Sequence, residues 1–365
     1  MVTEAAVREA LREVRDPEIG KPIEEIGMLA GIQVEGGDVR VDVLLTIEGC
    51  PLRDRITQDV TAAVQPLPGV ERVAVSLTPM SAEQREALVG KLRPNAAGPT
   101  KIRFSDKTSI IAVASGKGGV GKSSVTVNLA AALAADGYQV GVLDADVWGF
   151  SVPRMLGAKG QPVGFNDMIL PLEAHGVKVI SMGFFVPEDT PVIWRGPMLH
   201  KAIEQFLGDV YWGDLDVLLC DLPPGTGDVS ISLASFLPGA SMLVVTTPQE
   251  AAHTVAQRAG KMAERTNLRP IGVIENMSWF VCAHCGEREL LFGEGGGEQV
   301  AATLGVPLLA QVPLIPAVRE GGDNGTPIVV SDPGSPAAEA LRQAADAVRR
   351  AAATKVGKPL TVMAT

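Results

Sequence analysis

The sequence predicts an α/β fold with a mainly parallel sheet flanked by helices, preceded by a small α+β domain. Three observations predict it. From about 108 to 350, short runs of Val, Ile and Leu alternate with segments of helical periodicity, the pattern of strands buried on both faces. One of these runs opens into a glycine-rich stretch that leads directly into a helical pattern. In the first 80 residues, by contrast, apolar residues alternate singly with polar ones, as in half-buried strands.

Taken in order, Val7, Ala10, Leu11 and Val14 share one face of a helix that ends before Asp16-Pro17. Val39, Val41, Val43, Leu45 and Ile47 alternate as a strand. Pro51 suits the first turn of a second helix, carried on by Leu52, Ile56, Val60 and Val64. Leu67-Pro68-Gly69 then turns the chain into a strand at Val73, Val75 and Leu77. This completes a first domain, 1–80. Residues 81–107 mix charge with Pro94, Asn95, Gly98 and Pro99 and read as a linker. The larger domain, 108–350, has strand candidates at 110–114, 140–143, 177–181, 216–220, 241–246, 271–275 and 308–312. Its helices fit near 121–136, 197–211, 249–266 and 336–350, and 351–365 reads as a flexible tail.

The glycine-rich stretch is Ser115-Gly116-Lys117-Gly118-Gly119-Val120-Gly121-Lys122-Ser123. Strand, glycine loop and helix in that order are the context of a phosphate-binding P-loop. Its glycines let backbone N–H groups turn inward on a triphosphate, and the helix N-terminus adds the positive end of its dipole. The expected nucleotide-binding set is therefore Gly116, Lys117, Gly118, Gly119, Val120, Gly121, Lys122, Ser123 and Ser124. Lys122 reaches the β/γ-phosphates and the Ser123 hydroxyl ligates Mg²⁺. The fold class is thus that of a P-loop NTPase, with ATP and Mg²⁺ as ligands.

Two further strands end in carboxylates. Val142-Leu143-Asp144-Ala145-Asp146 closes the second strand of this domain, and Leu218-Leu219-Cys220-Asp221 closes the fourth. A carboxylate at the carboxyl end of a parallel strand beside the loop is placed to hold Mg²⁺ through water, and Asp221 fits that role. Asp144 supports the loop or touches the metal shell. In-line phosphoryl transfer needs a positioned nucleophile and neutralised charge, which makes Lys117, Lys122 and Asp146 the candidate catalytic residues. Pro224-Gly225-Thr226-Gly227 is a glycine-hinged segment able to relax when the γ-phosphate leaves. Asn276 ends the strand at 271–275, and the segment from Pro313 to Arg319 is expected to complete the base pocket.

Cys282 and Cys285 form a C-x-x-C pair in the long loop after that strand. Such a pair presents two thiolates to one metal or cluster; zinc, an iron–sulfur cluster and a redox dithiol all remain open. A redox dithiol normally opens a helix in a thioredoxin-like unit, and none is evident. A zinc site that includes His284 is chemically reasonable. A closed tetrahedral site needs about four ligands. Of the four cysteines, Cys220 reads as a buried thiol in an apolar strand and Cys50 belongs to the other domain. The simplest route to four sulfurs is a pairing of two chains, a homodimer. Cys50, at a helix start, is either a reactive thiol stabilised by the helix dipole or an inert small residue.

The loop K-G-G-V-G-K-S resembles the deviant form of ATPases such as MinD, ParA and the nitrogenase iron protein. That resemblance implies that Lys117 reaches across a dimer to the partner's nucleotide, that Asp146 orients the attacking water and that Asn276 recognises adenine. The ordered series G-K-G-G-V-G-K-S, D-A-D-V-W-G, W-R-G-P-M, D-L-P-P-G-T-G-D, N-M-S-W-F-V-C-A-H-C-G and F-G-E-G-G-G is similar to the Mrp/ApbC family of iron–sulfur cluster carrier ATPases. D-P-E-I at Asp16–Ile19 and G-C-P at Gly49–Pro51 resemble the MIP18-type domain fused to many of them. The resemblance implies that Cys282 and Cys285 of two subunits bridge a labile [4Fe–4S] cluster for delivery to apo iron–sulfur proteins. It leaves Arg195, in W-R-G-P, without a role. Two departures, Val147-Trp148-Gly149-Phe150 without a proline after the glycine, and Glu289-Leu290-Leu291 in the cysteine loop, touch no expected ligand.

Net charge is −10, and nothing suggests the basic face of a nucleic-acid binder. No apolar run approaches the roughly 20 residues that span a bilayer, and the first residues lack the pattern of a signal peptide. The expected location is cytoplasmic, with no membrane or nucleic-acid partner. Two other function classes share parts of this pattern. A MinD/ParA-like positioning switch wants a basic amphipathic tail, for which Lys355–Leu360 has too few apolar positions. A nitrogenase-reductase-like electron donor carries cluster cysteines far apart in sequence, unlike this pair. A zinc-bridged dimeric ATPase is the remaining alternative.

Overall fold

The computed structural model describes the chain except for residues 1, 18, 47–51, 93–101, 103, 148, 166–167, 187–195, 226–227, 250–251, 283 and 354–365. Ile47, Cys50, Pro51, the segment from Pro94 to Pro99, Trp148, Arg195, Thr226, Gly227 and the tail beyond Ala353 therefore lie outside the described residues. The chain divides into two compact units, 1–101 with 163–170, and 102–162 with 171–365.

The first unit begins with α1 (Glu4–Leu11), whose N-terminus is capped by Thr3 Oγ1 accepting from the Ala6 N–H at 3.2 Å. Strands β1 (Leu29–Glu35) and β2 (Asp38–Leu45) pair antiparallel. After α2 (Arg53–Val64), β3 (Arg72–Pro79) joins β2 in parallel. The alternation at Val39, Val41, Val43 and Leu45 puts all four side chains inside. Two features were not legible beforehand. β1 was missed, because its burial is irregular along the strand. The presumed linker also opens with a helix, α3 (Ala82–Leu92), whose Leu88 is buried. Its charged residues are the solvent face of an element rather than a tether.

The second unit starts with β4 (Ser109–Ala114), α4 (Lys122–Ala135), β5 (Val140–Asp144) and the short α5 (Val152–Leu156). A hairpin of β6 (Val163–Phe165) and β7 (Met168–Leu170) follows and groups with the first unit. Then come β8 (Leu172–Ala174), β9 (Val177–Ser181), α6 (Gly196–Gly208), β10 (Val217–Asp221), α7 (Asp228–Phe236), β11 (Ser241–Thr246) and α8 (Ala252–Thr266). The remainder is β12 (Arg269–Val281), β13 (Arg288–Glu289), α9 (Gly296–Leu304), β14 (Leu308–Leu314), α10 (Pro316–Asn324), α11 (Ile328–Ser331) and α12 (Pro336–Ala353). The sheet runs β13-β12-β11-β4-β10-β5-β9-β8, with β14 also on β12. Only β8 and β13 are antiparallel to their described neighbours in it.

β4 is central, and β5, β10 and β11 are buried along their whole lengths. That is why these strands read as continuous apolar runs rather than alternations. α4 is buried over most of its surface, and α12, which buries Ala337, Leu341, Ala344, Ala345 and Val348, packs against α4 and β14. The expected tail starts slightly too early, since α12 continues to Ala353 with Ala352 buried. Among the described residues, no helix is long and apolar enough to cross a membrane.

Candidate functional site: a phosphate cradle and an exposed thiol pair

The loop 115–121 joins the carboxyl end of β4 to the first turn of α4. Gly119 and Gly121 sit at φ 76 and 79, in the left-handed region that suits glycine. Gly121 is also crowded: a Cβ there would stand 2.2 Å from Asn276 Nδ2. Lys122, 6% exposed, points its ammonium at Asp221 Oδ2, 2.6 Å away. The same Oδ2 accepts from Ser123 Oγ at 2.5 Å, and Oδ1 accepts from Thr126 Oγ1 at 2.7 Å. The structure thus brings together Lys122, Ser123 and Asp221, and adds Thr126. Thr126 lies three residues beyond Ser123 on the same helix face, a spacing that could have revealed it.

A hydroxyl and a carboxylate within hydrogen-bond reach of each other form an all-oxygen donor set, which suits a hard cation such as Mg²⁺. The hydroxyl of Ser115, at the start of the loop, is buried with no hydrogen-bond partner among the described residues, and the loop's glycines carry no side chains into the cradle. These residues fit Mg²⁺ with a phosphate chain, and Ser123 and Asp221 would hold the metal.

Asp144 ends β5 beside Asp221, with which it is in register across the sheet. It is buried, accepting from Ser181 Oγ at 3.0 Å and from the Asp146 N–H at 3.2 Å. Burial and then the Asp221 charge push its carboxyl up to about 8, against the opposing effects of Ser181 and Lys122. The folded state therefore favours the protonated form. That contribution is fully present below the ordinary value of 3.8 and is lost as pH rises through 8. Asp144→Asn, which carries no charge at any pH, is expected to flatten the decline in stability across this window. Denaturant unfolding in EDTA at a series of pH values reads the slope, and a wild-type profile as flat as the variant's would refute the assignment.

Asp146 follows in the loop after β5, its Oδ1 accepting from the Gly149 N–H at 3.2 Å. Lys117 is half-buried and donates to Gln249 Oε1. Gly116 O accepts from Arg258 Nη1 at 3.0 Å, and Ser115 O from the Gly225 N–H at 3.1 Å, which ties the hinge segment to the loop. Gln249 and Arg258 were not anticipated, because nothing local marks a residue more than a hundred positions from the loop it touches.

Asn276 is not at a strand end. β12 continues through Val281, bent by an irregular register and by Met277 at φ 59. The Asn276 amide donates to Val120 O at 2.9 Å, so it sits under the loop. The segment from Pro313 to Arg319 spans the end of β14 and the start of α10. Glu275, buried, accepts from the Gly297 N–H at 2.6 Å and from Gln311 Nε2 at 2.9 Å, pinning α9 to β12. The consecutive glycines there have a packing reason, since a Cβ at Gly296 would stand 2.5 Å from Pro248 O.

The cysteine pair is at the tip of a hairpin rather than in a long loop. Phe280 and Val281 of β12 pair with Glu289 and Arg288 of β13. The Cys282 N–H donates to Glu287 O at 3.0 Å, and Cys282 O accepts from the Gly286 N–H at 2.8 Å, closing the turn. Cys282 is half-buried and Cys285 exposed. Backbone N–H groups of Cys285 and His284 hold the Cys282 thiol below its usual range. Cys220, by contrast, is fully buried and its thiol is pushed up by burial and by Asp221. Among the described residues no group of three or more His, Cys, Asp or Glu could hold a metal ion.

The family model of the NUBPL iron-transfer P-loop NTPases matches residues 106–349, and that of an iron–sulfur cluster assembly protein matches 4–77. An iron–sulfur cluster carrier protein of Mycobacterium leprae is 52% identical over 97% of this chain and 95% of its own length. This chain belongs to the iron–sulfur cluster carrier family. Another carrier, from Bacillus subtilis, is 43% identical over 86% of this chain and 89% of its own. Among solved structures, a nucleotide-binding protein of Archaeoglobus fulgidus in complex with ADP is 38% identical, with a TM-score of 0.53 over 60% of this chain and 88% of its own. MinD of Pyrococcus horikoshii with Mg-ADP is 25% identical, with a TM-score of 0.50 over 66% of this chain and 96% of its own. The carrier family's larger domain is a P-loop NTPase with ATP hydrolase activity.

Proposed function

We propose that this carrier is a cytoplasmic homodimeric ATPase that holds a [4Fe–4S] cluster between two copies of Cys282 and Cys285 and passes it to apo iron–sulfur proteins. The observation that carries the reading is the thiol pair itself, an accessible turn with one thiol held toward its thiolate. One chain offers it two sulfurs where a closed site takes about four. A second copy supplies the other two. The same pairing gives Lys117 a partner's nucleotide to reach.

ATP binds in the loop from Gly116 to Ser124, with Lys122 on its β/γ-phosphates and Asp146 orienting water for in-line attack. Asn276 contributes from below the loop. Mg²⁺, held through Ser123 and Asp221, supplies neutralisation of charge on the phosphate oxygens when bound. Hydrolysis changes which arrangement of the two copies is favoured, and so the hold on the cluster.

Anaerobic reconstitution tests the cargo. Wild type should take up four irons and four sulfides per dimer, a ratio set by the cluster's composition, and reactivate an apo-dehydratase. Cys282→Ala/Cys285→Ala should hold neither metal nor sulfide while turning over ATP. Cluster retained by the variant removes the ligand assignment, and zinc without sulfide in the wild type makes the dimer zinc-bridged.

A further inference from the structure

A loop that binds a phosphate chain through its N–H groups must keep its carbonyl oxygens turned away, because an anion repels them. In a trans peptide the C=O and the following N–H point in opposite directions. Whatever grips a loop carbonyl from outside therefore aims the next N–H inward. No sheet ladder does this for the loop 115–121, so its carbonyls need dedicated donors.

The structure gives four of them one each. Ser115 O takes the Gly225 N–H at 3.1 Å, and Gly121 O takes the Val125 N–H at 2.9 Å as α4 begins. The other two donors are side chains from distant parts of the same unit. Arg258, from α8, donates Nη1 to Gly116 O at 3.0 Å. Asn276, from β12, donates Nδ2 to Val120 O at 2.9 Å, against the face where Gly121 has no Cβ. We infer that Arg258 and Asn276 are positioning residues of the ATPase reaction: they clamp the Gly116 and Val120 carbonyls outward, and so present the Lys117 and Gly121 N–H groups to the phosphates. Arg258 has no other assigned role. For Asn276 this differs from reading the base, and the difference is measurable. The inference does not depend on what the thiol pair carries.

Magnesium tripolyphosphate, which has phosphates and no base, is the probe. Its affinity for the full-length protein is measured by calorimetry beside those of ATP and GTP, with thermal midpoints recorded for each variant. Arg258→Met and Asn276→Ala should each weaken all three ligands by the same factor, about tenfold for one lost hydrogen bond that orders the cradle. Arg258→Lys, which keeps a cationic donor, should recover most of that loss. Asn276→Asp should be worse than Asn276→Ala, because its carboxylate faces the Val120 carbonyl. Unchanged tripolyphosphate affinity in Arg258→Met or in Asn276→Ala overturns the clamp at that residue. Loss of ATP affinity alone in Asn276→Ala assigns the residue to adenine and overturns it likewise. If Asn276→Asp does not fold, the remaining three variants decide.

Discussion

Lys122→Met is expected to take ATP turnover to background and to destabilise the fold as well, by about 3–5 kcal/mol at neutral pH. The two effects have different origins. Turnover is lost because the proposed function makes this ammonium the loop's contact to the β/γ-phosphates. Stability is lost because Asp221 is fully buried and its nearest cation, 2.6 Å away, has gone. The hydroxyls of Ser123 and Thr126 still donate to it, but they carry no charge. Adding Asp221→Asn to Lys122→Met should restore most of the stability and none of the turnover. Chemical denaturation and phosphate release separate the outcomes. A single variant as stable as wild type would show that the pair contributes nothing to the fold.

Lys117→Ala is expected to leave the unfolding midpoint nearly unchanged and still to lower turnover by about a thousandfold or more, the range for a charge supplied across an interface to a phosphoryl-transfer site. Its partner in the structure is the neutral Gln249, so its removal strands no buried charge. Mixing experiments ask whether the lysine acts within its own chain. Lys117→Ala and Asp146→Ala should each be inactive alone. In a mixed dimer, one site holds an intact Asp146 and receives an intact Lys117 from the partner, so activity should reappear on mixing. A lysine acting in its own chain leaves both sites defective, and mixing then restores nothing.

The two lysines are five residues apart in one motif; the P-loop pattern marked Lys122, and only resemblance gave Lys117 its separate role. What separates them physically is depth. Lys122 begins α4, which packs largely buried against the sheet, whereas Lys117 is only half-buried in the loop. The strands around them were readable because continuous apolar runs and caps are local properties. Asp144 and Asp221 could be placed for the same reason, since each ends such a run. The features that were missed are those set by distant pairing. β12 was cut short at Glu275 because its bend and shift of register break the periodicity by which strands are recognised. The cysteine turn consequently read as a loop, though β13 folds back on it. α3 was hidden because one buried leucine in eleven residues leaves little amphipathic signal.

Order and spacing along the chain were enough to define an ATP-hydrolysing P-loop domain behind a small α+β domain, with a thiol pair too sparse to close a metal site alone. Those conclusions rest on chemistry carried by neighbouring residues, which a linear pattern records. Three-dimensional packing alone decided that Arg258 and Asn276 grip the P-loop, that Thr126 shares Asp221, and that burial beside Asp221 pushes the Asp144 carboxyl up. Each depends on segments tens to more than a hundred residues apart meeting at a few ångströms, and on the loss of water there, neither of which a sequence period encodes.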